Sequence, residues 1–189
     1  MTAFTAWLDE SGSNQVADPG TYILSAAICE PHHVSATREA IGELLLSKGG
    51  KLHWRDEGRR RQELIARTIA SLRVEHLVVV RSNATIARPE RQRRLCVERM
   101  IPELVAMGVG AAVFESRGLK DDRRDRRTLD HLRQKRIIAS SLRIDHVGGR
   151  TEPMLWIADA CCGAITQLRC GDGYHHSLIE SKVTIINIT

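Results

Sequence analysis

Trp7-Leu8-Asp9-Glu10-Ser11-Gly12 is the stretch whose reading decides the fold. It closes an apolar run (Phe4, Ala6, Leu8) with two acids, a hydroxyl and a glycine, which reads as a first strand, residues 4 to 9, delivering carboxylates to a turn. Side chains alternate along a strand, so Asp9 and Glu10 point to opposite faces and only one can serve a given site. An acidic pair at a strand end is ordinarily a solvated turn or a helix cap. A role for Asp9 therefore depends on partners supplied elsewhere in the chain.

Working outward, residues 11–20 hold Gly12, Asn14, Asp18, Pro19 and Gly20 and read as a loop, and residues 21–29 (TYILSAAIC) as a buried second strand antiparallel to the first. Val34, Ile41, Leu44, Leu45 and Leu46 recur at helical spacing up to Lys48-Gly49-Gly50, a glycine stop. After the interruption 51–57 (KLHWRDE), the pattern predicts a helix over 59–72, a strand over 74–81, a helix over 89–107 that Pro102 could kink, and a strand over 108–116 ending on Glu115. The charged segment 117–127 reads as a solvated loop passing into a helix that continues over 128–139. A strand over 141–147 and an almost wholly apolar helix over 154–168 follow. Residues 174–176 read as loop, and 182–188 as a final strand or an exchanged, dimerising arm. Strands alternating with helices in this order predict an α/β fold, a mixed sheet flanked by helices, in a single domain over 1–189.

The chain has 189 residues, 42% hydrophobic and 27% charged, in the range of water-soluble globular domains. It has no apolar run of about 20 residues and no signal-like N-terminus, which predicts a cytoplasmic protein with no membrane partner. Five cysteines, two of them adjacent, argue for reduced, mostly buried thiols rather than a disulfide framework, and their spacing with His175 and His176 does not fit zinc. The net charge of +5 comes chiefly from arginine clusters at 59–61, 91–94 and 123–127. Guanidinium forks suit phosphate, so Arg59, Arg60, Arg123 and Arg124, with Lys51, are the candidate contacts to a nucleic-acid backbone.

Three acids stand where an apolar element should not carry a charge: Asp9 ending the first strand, Glu115 ending a central strand and Asp159 inside the late helix. A buried carboxylate needs a cation, a hydrogen-bond donor or a raised pKa. Magnesium and manganese take carboxylate oxygens, and a pair of such ions can promote phosphodiester hydrolysis. Equally, Asp159 could bond to a neighbouring backbone and Glu115 be an exposed strand end; the pattern alone leaves both open. His53, beside Lys51 and Asp56, could orient a phosphate or shuttle a proton, or be a loop residue packed on Trp54. Asp121, Asp122 and Asp125 read as surface partners of the arginines around them.

The residues 7–12 (WLDESG), the apolar strand 22–29, Leu52-His53, Val113-Phe114-Glu115, Ile144-Asp145 and the helix 155–165 (LWIADACCGAI) together resemble the family catalogued as domain of unknown function 3800, over roughly residues 5–166. The resemblance implies a ribonuclease H-like fold in which Asp9, Glu115 and Asp159 bind Mg2+ or Mn2+, with Glu10 and Asp145 as additional ligands. Trp156 stands near a position where family members often carry glutamine, and Glu115 where they often carry aspartate. The expected activity is metal-dependent cleavage of DNA or RNA, with catalytic roles for Asp9, Glu115, Asp159 and His53. The rival expectations are a non-catalytic nucleic-acid-binding or effector-partner module on the same fold, and a structural homodimer.

Overall fold

Alternation along the first strand sends Trp7 into one hydrophobic core and Ala6 and Leu8 into another, so helices must cover both faces of the sheet. The computed structural model describes residues 3–46, 50–82, 88–138 and 141–189. Its strands are β1 (Phe4–Ser11), β2 (Tyr22–Cys29), β3 (Val74–Arg81), β4 (Val109–Glu115), β5 (Arg143–Val147) and β6 (Val183–Ile188). They form one sheet in the order β5-β4-β1-β2-β3-β6. β1, β2 and β3 are an antiparallel meander, while β4 joins β1, β5 joins β4 and β6 joins β3 in parallel. The expected mixed α/β sheet and the antiparallel β1–β2 pair are both present.

The helices are α1 (Pro31–Gly42), α2 (Arg59–Ser71), α3 (Pro89–Ala106), α4 (Leu119–Gln134), α5 (Pro153–Arg169) and α6 (Tyr174–Ile179). α1, α2, α5 and α6 cover the Trp7 face, and α3 and α4 the Leu8 face. α5 is the most deeply sunk of the helices: Met154 to Cys162 are all buried, which explains a helix sequence with almost no polar side. Its start is fixed by Glu152, which accepts from the Met154 amide and receives a bidentate Arg38 from α1 at 2.9 and 2.7 Å.

Several boundaries differ from the sequence reading. α1 stops at Gly42: Leu44 and Leu45 reach the core from the turn that follows, whereas Leu46 is exposed. The expected glycine stop falls partly on residues 47–49, outside the described residues. α3 runs through Pro102 without a break. The charged segment is mostly helix, because α4 begins at Leu119; Asp122 accepts the Arg117 amide at 3.0 Å and the Ser116 hydroxyl at 2.7 Å, and acids in the first turn with bases in the last suit the helix dipole. Residues 174–176 lie in α6, with His175 and His176 buried. β6 pairs with β3 of its own chain, so the tail 182–188 serves as an added strand.

Candidate metal centre

β1 and β4 are parallel neighbours with Trp7 opposite Val113; one pleat further along the same face come Asp9 and Glu115. Parallel pairing thus places two acids side by side at the carboxyl ends of adjacent strands. α5 crosses this face, and the Cys162 thiol donates to the Asp9 carbonyl at 3.4 Å, which brings Asp159, one helical turn earlier, over the same strand ends. The three acids singled out from the sequence are therefore gathered at one place.

Their surroundings differ. Asp9 is 7% exposed and its Oδ1 accepts the Glu10 amide at 2.8 Å. Burial, reinforced by the charges of Asp159, Glu115 and Glu10 and opposed by Lys51, holds its pKa well above the usual carboxylate range. The Asp159 Oδ2 accepts the Trp54 amide at 2.8 Å and bonds to His53 Nδ1 at 3.0 Å. That hydrogen bond, against the cost of burial, raises the His53 pKa and favours its charged form. Glu115 receives the Lys51 ammonium on both oxygens, at 2.8 and 2.6 Å, and the same nitrogen lies 3.9 Å from Asp9 Oδ2. Burial opposes the charge on Lys51, but Glu115, Asp9 and Asp159 outweigh it and its pKa is raised.

Lys51, His53 and Trp54 reach the acids from one short segment, and two glycines permit the fit. A Cβ on Gly163, one turn beyond Asp159, would stand 2.1 Å from Trp54 Cδ1, so the ring lies directly on the α5 backbone. Gln62 from α2 donates to the Trp54 carbonyl at 3.0 Å and in turn accepts from Gln167 of α5 at 3.0 Å. A Cβ on Gly149 would stand 2.2 Å from Glu115 Oε1. The Trp156 indole donates to the Gly149 carbonyl at 2.5 Å, which holds the loop against Glu115. Trp54, Gly163, Gly149 and Trp156 carry no chemical signature in the sequence; their part is visible only in the packing.

The remaining candidates lie elsewhere. Glu10 is turned to the opposite face, where it pairs with the buried Arg93 and lies 3.5 Å from Arg117. Asp145 is exposed on the edge strand β5, opposite Val113 and one pleat short of the acids. Arg59 pairs with Asp172 at 2.8 Å, Arg60 is exposed, and Arg123 and Arg124 lie on α4, on the other face of the sheet, with Arg124 bound to Asp121 at 2.6 Å. Asp125 is buried against Arg93 at 2.9 and 2.8 Å, rather than paired at the surface as its sequence neighbours suggested. All five cysteines are free, four of them buried. Among the described residues, one set of three or more His, Cys, Asp or Glu side chains has its ligand atoms all within 4.8 Å of one another: Glu30, His32 and His33 at the start of α1. Asp9, Glu115 and Asp159 do not close to that distance as a set. Beside Asp159 and His53, a cleft of about 480 Å³ runs along α5 under residues 11–14.

No protein-family model matches the sequence, and no curated protein sequence matches it. Solved structures do share its architecture. RNase HII from Archaeoglobus fulgidus, in its complex with PCNA, superposes with a TM-score of 0.55 at 15% identity over 94% of this chain and 77% of that one. The fold is ribonuclease H-like. Bst-RNase HIII in complex with Mn2+ gives a TM-score of 0.59 at 16% identity, with 89% of this chain matched but only 53% of that chain, so this ribonuclease H-like chain spans about half of that relative's length. The ribonuclease H2 from Pyrococcus horikoshii OT3 is matched at a TM-score of 0.50 and 9% identity, over 94% of this chain and 76% of that one. Among the described residues no helix is long and apolar enough to cross a membrane.

Proposed function

We propose that this protein is a divalent-metal-dependent nuclease, a phosphodiesterase acting on DNA or RNA, in which Asp9, Glu115 and Asp159 hold Mg2+ or Mn2+. The observation that carries the reading is the gathering of three carboxylates, two of them buried, at the carboxyl ends of β1 and β4 under α5, where burial first and the neighbouring acids second raise the pKa of Asp9. Hard oxygen donors of this kind suit magnesium and manganese. One ribonuclease H-type neighbour was solved with Mn2+, which agrees with this choice of ion.

Held by these acids, a divalent ion would supply Lewis acidity for attack by water and neutralise charge on the leaving oxygen. The chain's own residues supply the rest. Asp159 fixes His53 through Nδ1 and favours its charged form, leaving Nε2 at the cleft to give a proton to the leaving oxygen. Trp54 holds the backbone of that segment to Asp159. Arg55, exposed in the cleft, and Arg59 and Arg60 at the start of α2 would meet a phosphate backbone without reading sequence. Arg123 and Arg124, on the other face, would require a strand that wraps the sheet edge.

The test is cleavage of labelled single- and double-stranded DNA, RNA and RNA–DNA hybrids with Mg2+ or Mn2+. Wild-type protein cleaves at least one of these, and Asp9→Asn and Asp159→Asn, folded by circular dichroism, cleave none. Unchanged cleavage in both variants refutes the assignment. The rival reading, a nucleic-acid-binding module without turnover, is supported by the Lys51–Glu115 pair, which satisfies one acid within the chain. It predicts salt-sensitive binding and no cleavage with either ion.

A further inference from the structure

Three carboxylates face one place, and one cation already stands among them. The Lys51 ammonium makes two short bonds to Glu115 and approaches Asp9 Oδ2 at 3.9 Å. Its side chain is 20% exposed and that of Glu115 21%, so the pair is largely withdrawn from water, where a charge-assisted pair is stronger than at the surface. The partner segment is not free to drift: the Trp54 amide is bonded to Asp159, the Trp54 ring lies on Gly163, and Gly149 closes over Glu115 from the other side. Glu115 thus has a cation bonded to both its oxygens, whereas Asp9 has the Glu10 amide and only the longer 3.9 Å approach of the same ammonium, and Asp159 has the Trp54 amide and the His53 ring.

We infer that Lys51 permanently occupies one of the two cation positions of this site, so that the chain takes a single divalent ion, on the Asp9–Asp159 side, with Lys51 remaining on Glu115. Charge balance agrees. Three carboxylates, one ammonium and one divalent ion sum to zero, or to one positive charge when His53 is protonated, whereas a second divalent ion beside Lys51 would raise the excess to two or three in a half-buried site. In the reaction Lys51 would then stand where a second ion stands in two-ion sites, as a fixed positive charge facing the phosphate. This rests on the metal-site reading above, narrows the ion's carboxylates from three to Asp9 and Asp159, and deepens the reading to a stoichiometry and a role for one residue.

The experiment is a Mn2+ titration without nucleic acid, read by the free-ion electron paramagnetic resonance signal, on wild type, Lys51→Met and Lys51→Gln, each also carrying His32→Ala and His33→Ala so that the Glu30, His32 and His33 set adds no ion to the count. The expected result is one ion per wild-type chain and two per chain in both variants, the second abolished by adding Glu115→Gln. Two ions on the wild type, or one on both variants, overturns the inference while leaving the metal site standing. No Mn2+ bound by any of them overturns both. A measurement on unmodified protein is independent of how the variants fold: acylation of amines followed by peptide mass spectrometry. Lys51 stays protected at saturating Mn2+ if it remains on Glu115. A several-fold rise in its labelling when Mn2+ binds shows that the ion displaces it, and overturns the inference.

Discussion

Replacing Gly163 with alanine tests how the site is assembled without touching any group that performs chemistry. In most helices the change would stabilise by about 1 kcal/mol, because glycine is the poorer helix former. Here the added Cβ would stand 2.1 Å from Trp54 Cδ1, 2.4 Å from Cγ and 2.6 Å from Nε1, and the ring it meets is 4% exposed. The ring cannot swing into solvent, so the segment carrying Lys51, His53 and Trp54 must lift from α5. Overpacking of this kind costs roughly 1–3 kcal/mol, and the closeness of three ring atoms puts it at the upper end. Set against the gain in helix propensity, the net loss is about 1–2 kcal/mol, or a fall in melting temperature of roughly 2–8 °C for a chain of this size. Gly42→Ala is the matched control, since a Cβ there meets nothing within 4 Å, and it should raise stability by about 0.4–1 kcal/mol. Thermal unfolding by circular dichroism reads both. Gly163→Ala as stable as wild type, or more so, refutes the close docking of Trp54 on α5 and with it the account of how His53 reaches Asp159.

Further outcomes follow from the charges. Asp9 has a folded-state pKa well above its unfolded value, so its ionisation removes stability as pH rises from about 4 through the folded pKa; Asp9→Asn should therefore melt higher than wild type at pH 7 without metal, and the difference should shrink on acidification. Adding Mn2+ should raise the melting temperature of wild type but not of Asp9→Asn. Asp125 behaves oppositely: burial works against its charge, but Arg93 and His146 overcome it and bring its pKa to about 2, so its contribution is present above about pH 4 and lost as pH falls toward 2. Asp125→Ala leaves Arg93 buried with one partner fewer and should cost about 3–5 kcal/mol, seen in urea denaturation at pH 7. The His53 ring, followed by NMR, should titrate above its ordinary value in wild type, because of its bond to Asp159, and lower in Asp159→Asn.

Much of the site was legible because a charge inside an apolar element has to be explained. Asp9, Glu115 and Asp159 stand out in sequence for that reason, and alternation alone separated Asp9 from Glu10. Asp145 shows the limit of the same rule: it alternates onto the correct face, but strand order and register leave it on an exposed edge, and neither can be read locally. The charged run 117–127 misled in the same way. Asp125 looked like a surface residue among arginines, yet its partner is Arg93, 32 positions away. Trp54, Gly149 and Gly163 act through shape, and a glycine needed for close approach is indistinguishable in sequence from one in a loop. The mixed α/β sheet follows from strand and helix order and its ribonuclease H-like character was an expectation from the resemblance alone, whereas the Lys51–Glu115 pair, which bears most on the chemistry, joins residues 64 apart.

The most direct test of the central claim is an anomalous difference map from crystals of the protein soaked in Mn2+. The account predicts a peak bound by the carboxylates of Asp9 and Asp159. A map with no peak there, or with manganese only at Glu30, His32 and His33, would contradict it.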